Sequence, residues 1–365
     1  MKKTQELSDE ELRIVARDEI FEFWKEIFSE TLNEEYNLIL FIRYAYMSRH
    51  GHIQKKEIYP KYSKMFKNLD LDRLTKYLKD DLLSQATAFK VLLDSNESMP
   101  NFSNDKLKNI IECLKSTNTQ QWFSVCLAVL TPIIQHRFNL SETNQETLVV
   151  KIFENLHEMM FVLNYSDRLA NKLETKLPEI ASKVDQGSDV NDYFSSLSNI
   201  DDEIVQLKGT LELSYSHIDL IRFKDNEFFE PSNNLGNMFL LLLNYKKNGG
   251  RMNFKTRTLE HVLPQSVKEE EWPEFFSYDI ERQKKSIYSI GNFLNAPSGK
   301  NSSLKGLSFK QKKSKEDGYL LDPLEGTDNY FKNIDDDGWT EEKIKERQDQ
   351  LIEMFKTACL EKKQV

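Results

Sequence analysis

The sequence predicts a mainly helical protein that carries one small strand–strand–helix segment near its carboxyl end. Over most of the first 245 of the 365 residues, apolar side chains recur at the three- and four-residue spacing of amphipathic helices. Between residues 254 and 313 that spacing gives way to two short strand-like runs and then to a basic stretch. We therefore expect a multi-helix domain over residues 1–245, followed by a compact module and a closing helix over residues 246–365.

Successive helices are expected along the first domain, each with one apolar face. Polar loops are expected at residues 96–104 and 185–192. Near the end of the chain, Thr340 has the residue type and position of an N-cap for the closing helix. The helical segments are predicted over residues 18–49, 70–93, from 106, 120–132, 148–163, 169–184, from 201, and 234–245.

The composition excludes several classes of protein. The chain is 39% hydrophobic and 30% charged, which is ordinary for a globular protein in water. Its best apolar run, Met238–Leu243, is far shorter than the roughly 18 residues that a membrane span needs. The amino terminus lacks the apolar core of a signal peptide, and the three cysteines form no paired C-x-x-C motif. We therefore expect a cytoplasmic protein with no membrane partner and no structural zinc.

The charge is unevenly distributed along the chain. The whole chain carries a formal charge of −9, yet residues 246–315 contain 15 lysines and arginines against 7 acidic residues. This segment therefore carries +8, and the remainder carries −17. Such segregation allows one face to attract phosphates while the chain stays soluble. A solvated lysine-rich helix would give the same count. The positive charge therefore indicates phosphate binding only because the basic segment coincides with the motif described next.

The first strand-like run ends on an acid beside a histidine, Glu260-His261. A carboxylate is a hard oxygen ligand suited to Mg²⁺, and an imidazole can take a proton from water near neutral pH. Adjacent residues of a strand point in different directions, so one can face a metal ion while the other faces the attacking water. A second strand-like run is predicted at residues 289–293, and Asn301 lies nine positions after Asn292 on an expected helix. This order of elements and residues is the layout of a one-metal phosphodiesterase site.

Four pieces of this segment, in order and at matching spacing, resemble the HNH nuclease half of GmrSD-type restriction proteins. In that family the pieces read roughly Glu-His-Ile-x-Pro-Gln, Gly-Asn-Leu, Leu-Asn and Phe-x-x-Lys-Lys. The resemblance implies a ββα-metal (HNH-like) module that cleaves DNA, most simply duplex DNA, in restriction or antiphage defence in a prokaryotic cell. The corresponding residues here are Glu260–Gln265, Gly291–Phe293, Lys300-Asn301 and Phe309–Lys313.

The resemblance also implies a role for each site residue. His261 would be the general base, and Glu260 and Asn301 would hold Mg²⁺ or Mn²⁺, which stabilises the leaving 3′-oxygen. Asn292 would hydrogen-bond to loop backbone and fix the histidine. Because Glu260 would be the only charged ligand, we expect the metal to bind weakly until a phosphate supplies more oxygens. The candidate phosphate contacts are Lys300, Lys305, Lys310, Lys312 and Lys313.

One family feature has no counterpart in the sequence. The larger relatives begin with a ParB-like nucleotide-hydrolysing domain marked by Asp-Gly-Gln-Gln-Arg, and that motif does not occur here. We therefore expect this domain in a separate subunit or in a missing part of a longer protein, with residues 1–245 as scaffold and docking surface. Two other function classes stay open: a nuclease that acts on RNA, and a partner-dependent binding subunit with little activity of its own.

Overall fold

The computed structural model describes the chain in segments that contain most of each predicted helical region. These residues are mainly helical, as the sequence predicts, and their two strands form one antiparallel sheet. The predicted domain boundary near residue 245 stays a prediction. The described residues are 9–31, 34–94, 105–136, 138, 143–166, 171–224, 234–252, 257–297, 302–314, 331, 334–336 and 338–361.

The secondary structure follows most of the helical pattern of the sequence, although the first helix begins at Asp9 and an additional helix forms at Ile58–Lys67. Short 3-10 turns occur at Lys55–Glu57, Tyr215–His217, Leu220–Lys224 and Ile290–Asn292. The helices are α1 Asp9–Glu30, α2 Glu35–His50, α3 Ile58–Lys67, α4 Leu71–Lys76, α5 Leu83–Leu93, α6 Asp105–Ser116, α7 Phe123–His136, α8 Thr143–Tyr165, α9 Asn171–Ala181, α10 Val190–Thr210, α11 Leu235–Lys247, α12 Pro273–Phe276, α13 Ile280–Ile287, α14 Phe309–Ser314 and α15 Glu341–Phe355. The strands are β1 Arg257–His261 and β2 Phe293–Pro297.

Internal contacts divide the chain into two units. The first comprises residues 1–104, 119–156 and 169–207, and the second comprises residues 105–118, 157–168 and 208–365. In the first unit, helices α2, α5 and α7 pack together through aromatic side chains. The ring centroids of Phe41 and Phe89 are 5.5 Å apart, and those of Phe89 and Phe123 are 5.3 Å apart.

One helix of the first unit begins earlier than the sequence predicts. The polar stretch 185–192 was expected to separate two helices, with the second starting near Asp201. Instead, the carboxylate of Asp189 accepts hydrogen bonds from the backbone N–H groups of Asn191 (2.8 Å) and Asp192 (3.1 Å). This local capping allows α10 to start at Val190, because the first N–H groups of the helix are satisfied without packing.

The second unit contains the strand pair. In the hairpin register, Glu260 lies opposite Leu294 and His261 lies opposite Phe293. Helix α11 covers one face of this pair, where Gly236 approaches the ring of Phe293 so closely that an added Cβ would lie 2.6 Å from it. On the other face lies an apolar cluster to which helix α14 contributes Phe309. The cluster also contains Leu294, Ala296, Trp339 and Ile344.

The second strand starts later than the sequence predicts. Residues 289–293 were expected to form it, but Ile290–Asn292 form a 3-10 turn, and β2 begins at Phe293. The hydroxyl of Ser289 accepts a hydrogen bond from the N–H of Gly291 at 3.2 Å, which stabilises the turn. Gly291 is required by close packing, because a Cβ there would lie 1.9 Å from the carbonyl oxygen of Ile344 in α15.

The closing helix forms where the sequence predicts it. The hydroxyl of Thr340 accepts a hydrogen bond from the N–H of Lys343 at 3.3 Å, which is the expected N-cap contact. The basic stretch near residue 313 contains helix α14. Among the described helices, none combines the length and the hydropathy needed to cross a membrane.

Candidate active site

Glu260 and His261 end strand β1, and their side chains lie on opposite faces of the hairpin because strand residues alternate. His261 shares its face with its cross-strand neighbour Phe293, and the two ring centroids are 4.9 Å apart in an edge-on arrangement. Glu260 points the other way, towards α14. There the side-chain amine of Lys312 donates a hydrogen bond to its carboxylate at 2.7 Å. The two neighbouring residues therefore have different surroundings.

The Glu260–Lys312 ion pair is almost completely buried. The side chains are 4% and 1% exposed, respectively. The same Lys312 amine donates a second hydrogen bond, at 2.7 Å, to the backbone carbonyl of His261. Burial lowers the pKa of Lys312, while the negative charge of Glu260 acts in the opposite direction. The amine thus ties the end of β1 to helix α14.

His261 offers an unpartnered ring nitrogen. Its Nε2 atom is buried and has no hydrogen-bond partner in the described part of the chain. Burial, and then the nearby charge of Lys312, lower the pKa of His261 to about 4. The imidazole is therefore neutral at pH 7, which is the state that accepts a proton.

Asn292 is fully buried, and its side-chain amide bridges the loop after β1 to the turn before β2. The amide oxygen accepts hydrogen bonds from the N–H of Leu263 at 2.7 Å and from the indole N–H of Trp339 at 3.2 Å. The amide nitrogen donates to the carbonyls of Leu263 at 3.0 Å and of Ile287 at 2.9 Å. The contact with loop backbone is thus present. That it fixes His261 stays a prediction.

Two further residues brace this turn, and the sequence reasoning did not identify them. Arg347 of α15 is 2% exposed and donates hydrogen bonds to the carbonyls of Gly291 at 2.6 Å and Phe293 at 2.7 Å. Trp339 reaches Asn292, as described above. A signal for Arg347 was available: it lies three residues after Ile344, on the apolar face of the closing helix, where a charged residue needs buried partners.

The predicted phosphate contacts have different surroundings. Lys305 and Lys310 are exposed. Lys313 is buried; its amine donates a hydrogen bond to the carbonyl of Ile334 and lies 3.4 Å from Asp336. Lys312 differs most from the expected surface contact, because its amine is enclosed and pairs with Glu260.

Two predicted site residues are not among those that the structure describes. Lys300 and Asn301 lie outside the described residues. Asn301 was the second predicted metal ligand, and Lys300 was a predicted phosphate contact. Both assignments stay predictions.

The donors at this site fit a divalent cation in type. Glu260 supplies carboxylate oxygens suited to Mg²⁺ or Mn²⁺, whereas His261 lies on the opposite face of the hairpin and is not part of this donor set. Within the described ranges, no cluster of three or more His, Cys, Asp and Glu side chains could hold a metal ion. The ammonium of Lys312 opposes a cation at Glu260, because two positive centres would then share one carboxylate.

The segment around this site also has a counterpart among known families. Residues 219–354 match the family model of the GmrSD restriction endonuclease C-terminal domain. The GmrSD-like region therefore contains β1, β2, α14 and nearly all of α15, and the resemblance inferred from the motifs is confirmed for these residues. No curated protein and no solved structure matches the chain.

Proposed function

We propose that the GmrSD-like region is an HNH-type endonuclease that uses Mg²⁺ or Mn²⁺ to hydrolyse phosphodiester bonds in DNA, in restriction or antiphage defence. The main support is that the family match contains the Glu260-His261 end of β1, where an acid adjoins a neutral imidazole with an unpartnered nitrogen. A ββα-metal module, formed by β1, β2 and a following helix that includes Asn301, is part of this proposal.

In the proposed reaction, His261 takes a proton from a water molecule at its Nε2 atom, and the water oxygen attacks phosphorus. Glu260 and Asn301 would hold the cation, which when bound stabilises the negative charge that develops on the leaving 3′-oxygen. Asn292 keeps the loop after β1 in place through its contacts with Leu263 and Ile287. By resemblance to the family, the products carry 5′-phosphates.

The exposed lysines are the proposed contacts with the DNA backbone. Lys305 and Lys310 are accessible, and contacts of this kind position a duplex without reading its sequence. Binding should therefore weaken as the salt concentration rises. We further propose that residues 1–245 serve as scaffold and docking surface, and that nucleotide control comes from a ParB-like domain or subunit in the same cytoplasm.

Digestion of three substrates tests the proposal and separates its alternatives. Duplex DNA, single-stranded DNA and structured RNA of equal length would be incubated with the protein in Mg²⁺, in Mn²⁺ and in EDTA. We expect metal-dependent cleavage of duplex DNA. Cleavage of RNA alone would assign the site to the RNA-directed class, and cleavage that persists in EDTA would contradict the metal-dependent mechanism.

A gel-shift experiment separates binding from cutting. With Mg²⁺ replaced by Ca²⁺, an HNH-type nuclease should still bind duplex DNA while cleavage slows. Binding without cleavage in any of the three metals, even when partner subunits are present, would favour the third class, a binding subunit with little activity of its own.

A further inference from the structure

The position beside Glu260 already contains a positive charge. The Lys312 amine lies 2.7 Å from the Glu260 carboxylate and 2.7 Å from the carbonyl oxygen of His261. Both members of the pair are nearly inaccessible to water, with side-chain exposures of 4% for Glu260 and 1% for Lys312. A buried carboxylate without a counter-charge would be strongly unfavourable, so the lysine makes this arrangement stable.

We propose that Lys312 is a built-in counter-ion that holds Glu260 in place until a divalent cation displaces its ammonium group. This inference rests on the proposed function, since it takes Glu260 as a metal ligand. The carboxylate carries one negative charge and cannot compensate both a divalent cation and a buried ammonium. Lys312 must therefore leave the carboxylate as the cation binds, and the loss of its two hydrogen bonds weakens cation binding to the DNA-free protein.

The geometry of α14 selects Lys312 from its basic neighbours. Lys312 lies on the buried face of the helix and its amine reaches Glu260, whereas the amine of its buried neighbour Lys313 donates to the carbonyl of Ile334. Lys310 lies on the exposed face, 3.7 Å from Asp336 and away from Glu260. The two lysines therefore belong to the same helix but differ in burial, which provides a matched pair for experiment.

The central test measures Mn²⁺ binding to the full chain without DNA, by titration of the electron paramagnetic resonance signal of free Mn²⁺. Replacing the amine removes the competing contact, so Lys312→Met should bind Mn²⁺ about tenfold to a hundredfold more tightly than the wild type. Lys284→Met, at an exposed position of α13, should bind like the wild type. Glu260→Gln in the Lys312→Met background should abolish the gain.

The outcomes separate the two proposals. If wild type and Lys312→Met bind Mn²⁺ with equal affinity, and Glu260→Gln removes that binding, the counter-ion role is overturned and the metal site stands. If no Mn²⁺ binding depends on Glu260, with or without duplex DNA, the metal site of the proposed function fails together with the counter-ion role.

A measurement on the wild-type chain covers the case in which Lys312→Met does not fold. Acylation of lysine amines, read by mass spectrometry, reports how accessible each amine is. Without a divalent cation, Lys312 should be protected relative to the exposed Lys310. Mn²⁺ should remove this protection from Lys312 and leave Lys310 unchanged. Protection of Lys312 that persists when Mn²⁺ occupies the Glu260 site would overturn the inference.

Discussion

The change Asn292→Ala should destabilise the second unit strongly. Asn292 is 0% exposed, and its amide makes hydrogen bonds with the N–H and the carbonyl of Leu263, the carbonyl of Ile287 and the indole of Trp339. Alanine leaves these four buried groups without their partner. Each unsatisfied group costs about 1–3 kcal/mol, and water entering the vacated space can satisfy some of them, so we expect a loss of about 4 kcal/mol.

Urea unfolding followed by circular dichroism measures this loss, and hydrogen exchange of the Leu263 amide locates it. That amide donates a hydrogen bond to the Asn292 side-chain oxygen at 2.7 Å. Its protection against hydrogen exchange should therefore fall by more than the decrease in the global free energy of unfolding accounts for. The matched control is Asn68→Ala at an exposed position, which should change the free energy of unfolding by less than about 0.5 kcal/mol. A loss below about 1 kcal/mol for Asn292→Ala would refute the reasoning that its four hydrogen bonds hold the loop.

Three further changes test other parts of the second unit. Gly291→Ala should lower the free energy of unfolding, measured with urea, by about 1–3 kcal/mol or more, because the new Cβ would collide with the backbone of α15. An unchanged free energy of unfolding would contradict the close packing of Gly291 against α15. Arg347→Met removes the hydrogen bonds that the carbonyls of Gly291 and Phe293 accept and should cost about 2–4 kcal/mol, whereas Lys345→Met on the exposed side of the same helix should cost less than about 0.5 kcal/mol. His157 is fully buried, and burial lowers its pKa to about 3. The stability that depends on its neutral form is therefore present above pH 6.5 and is lost as the pH falls from 6.5 towards 3. Between pH 6.5 and pH 5 the wild type should lose about 2 kcal/mol that His157→Gln does not lose, while the exposed control His217→Gln should behave like the wild type.

The helices were predictable because their signals are local. The apolar spacing of the first unit and the hydroxyl of Thr340 act within one or two turns of chain, and both predictions were confirmed. The start of α10 was missed although its signal was also local, since Asp189 followed by a helix-compatible stretch is an N-cap pattern.

The second strand and the surroundings of the site could be predicted only in part, because they depend on contacts between distant residues. The run 289–293 has strand-like composition, but Gly291 packs against the closing helix and Asn292 bonds to the loop after β1, which together favour a turn. The burial of Lys312 had a weak sequence signal in its spacing from Phe309. Its pairing with Glu260 spans 52 residues and cannot be derived from local pattern.

Single-turnover cleavage of duplex DNA by His261→Ala tests the central claim most directly. Loss of a general base should slow cleavage on the order of a hundredfold or more at saturating Mg²⁺. The variant should remain folded, because the Nε2 atom of His261 has no hydrogen-bond partner among the residues that the structure describes. The exposed control His217→Ala should cleave at the wild-type rate. Wild-type cleavage by His261→Ala would contradict the account, because it would remove the imidazole from the reaction.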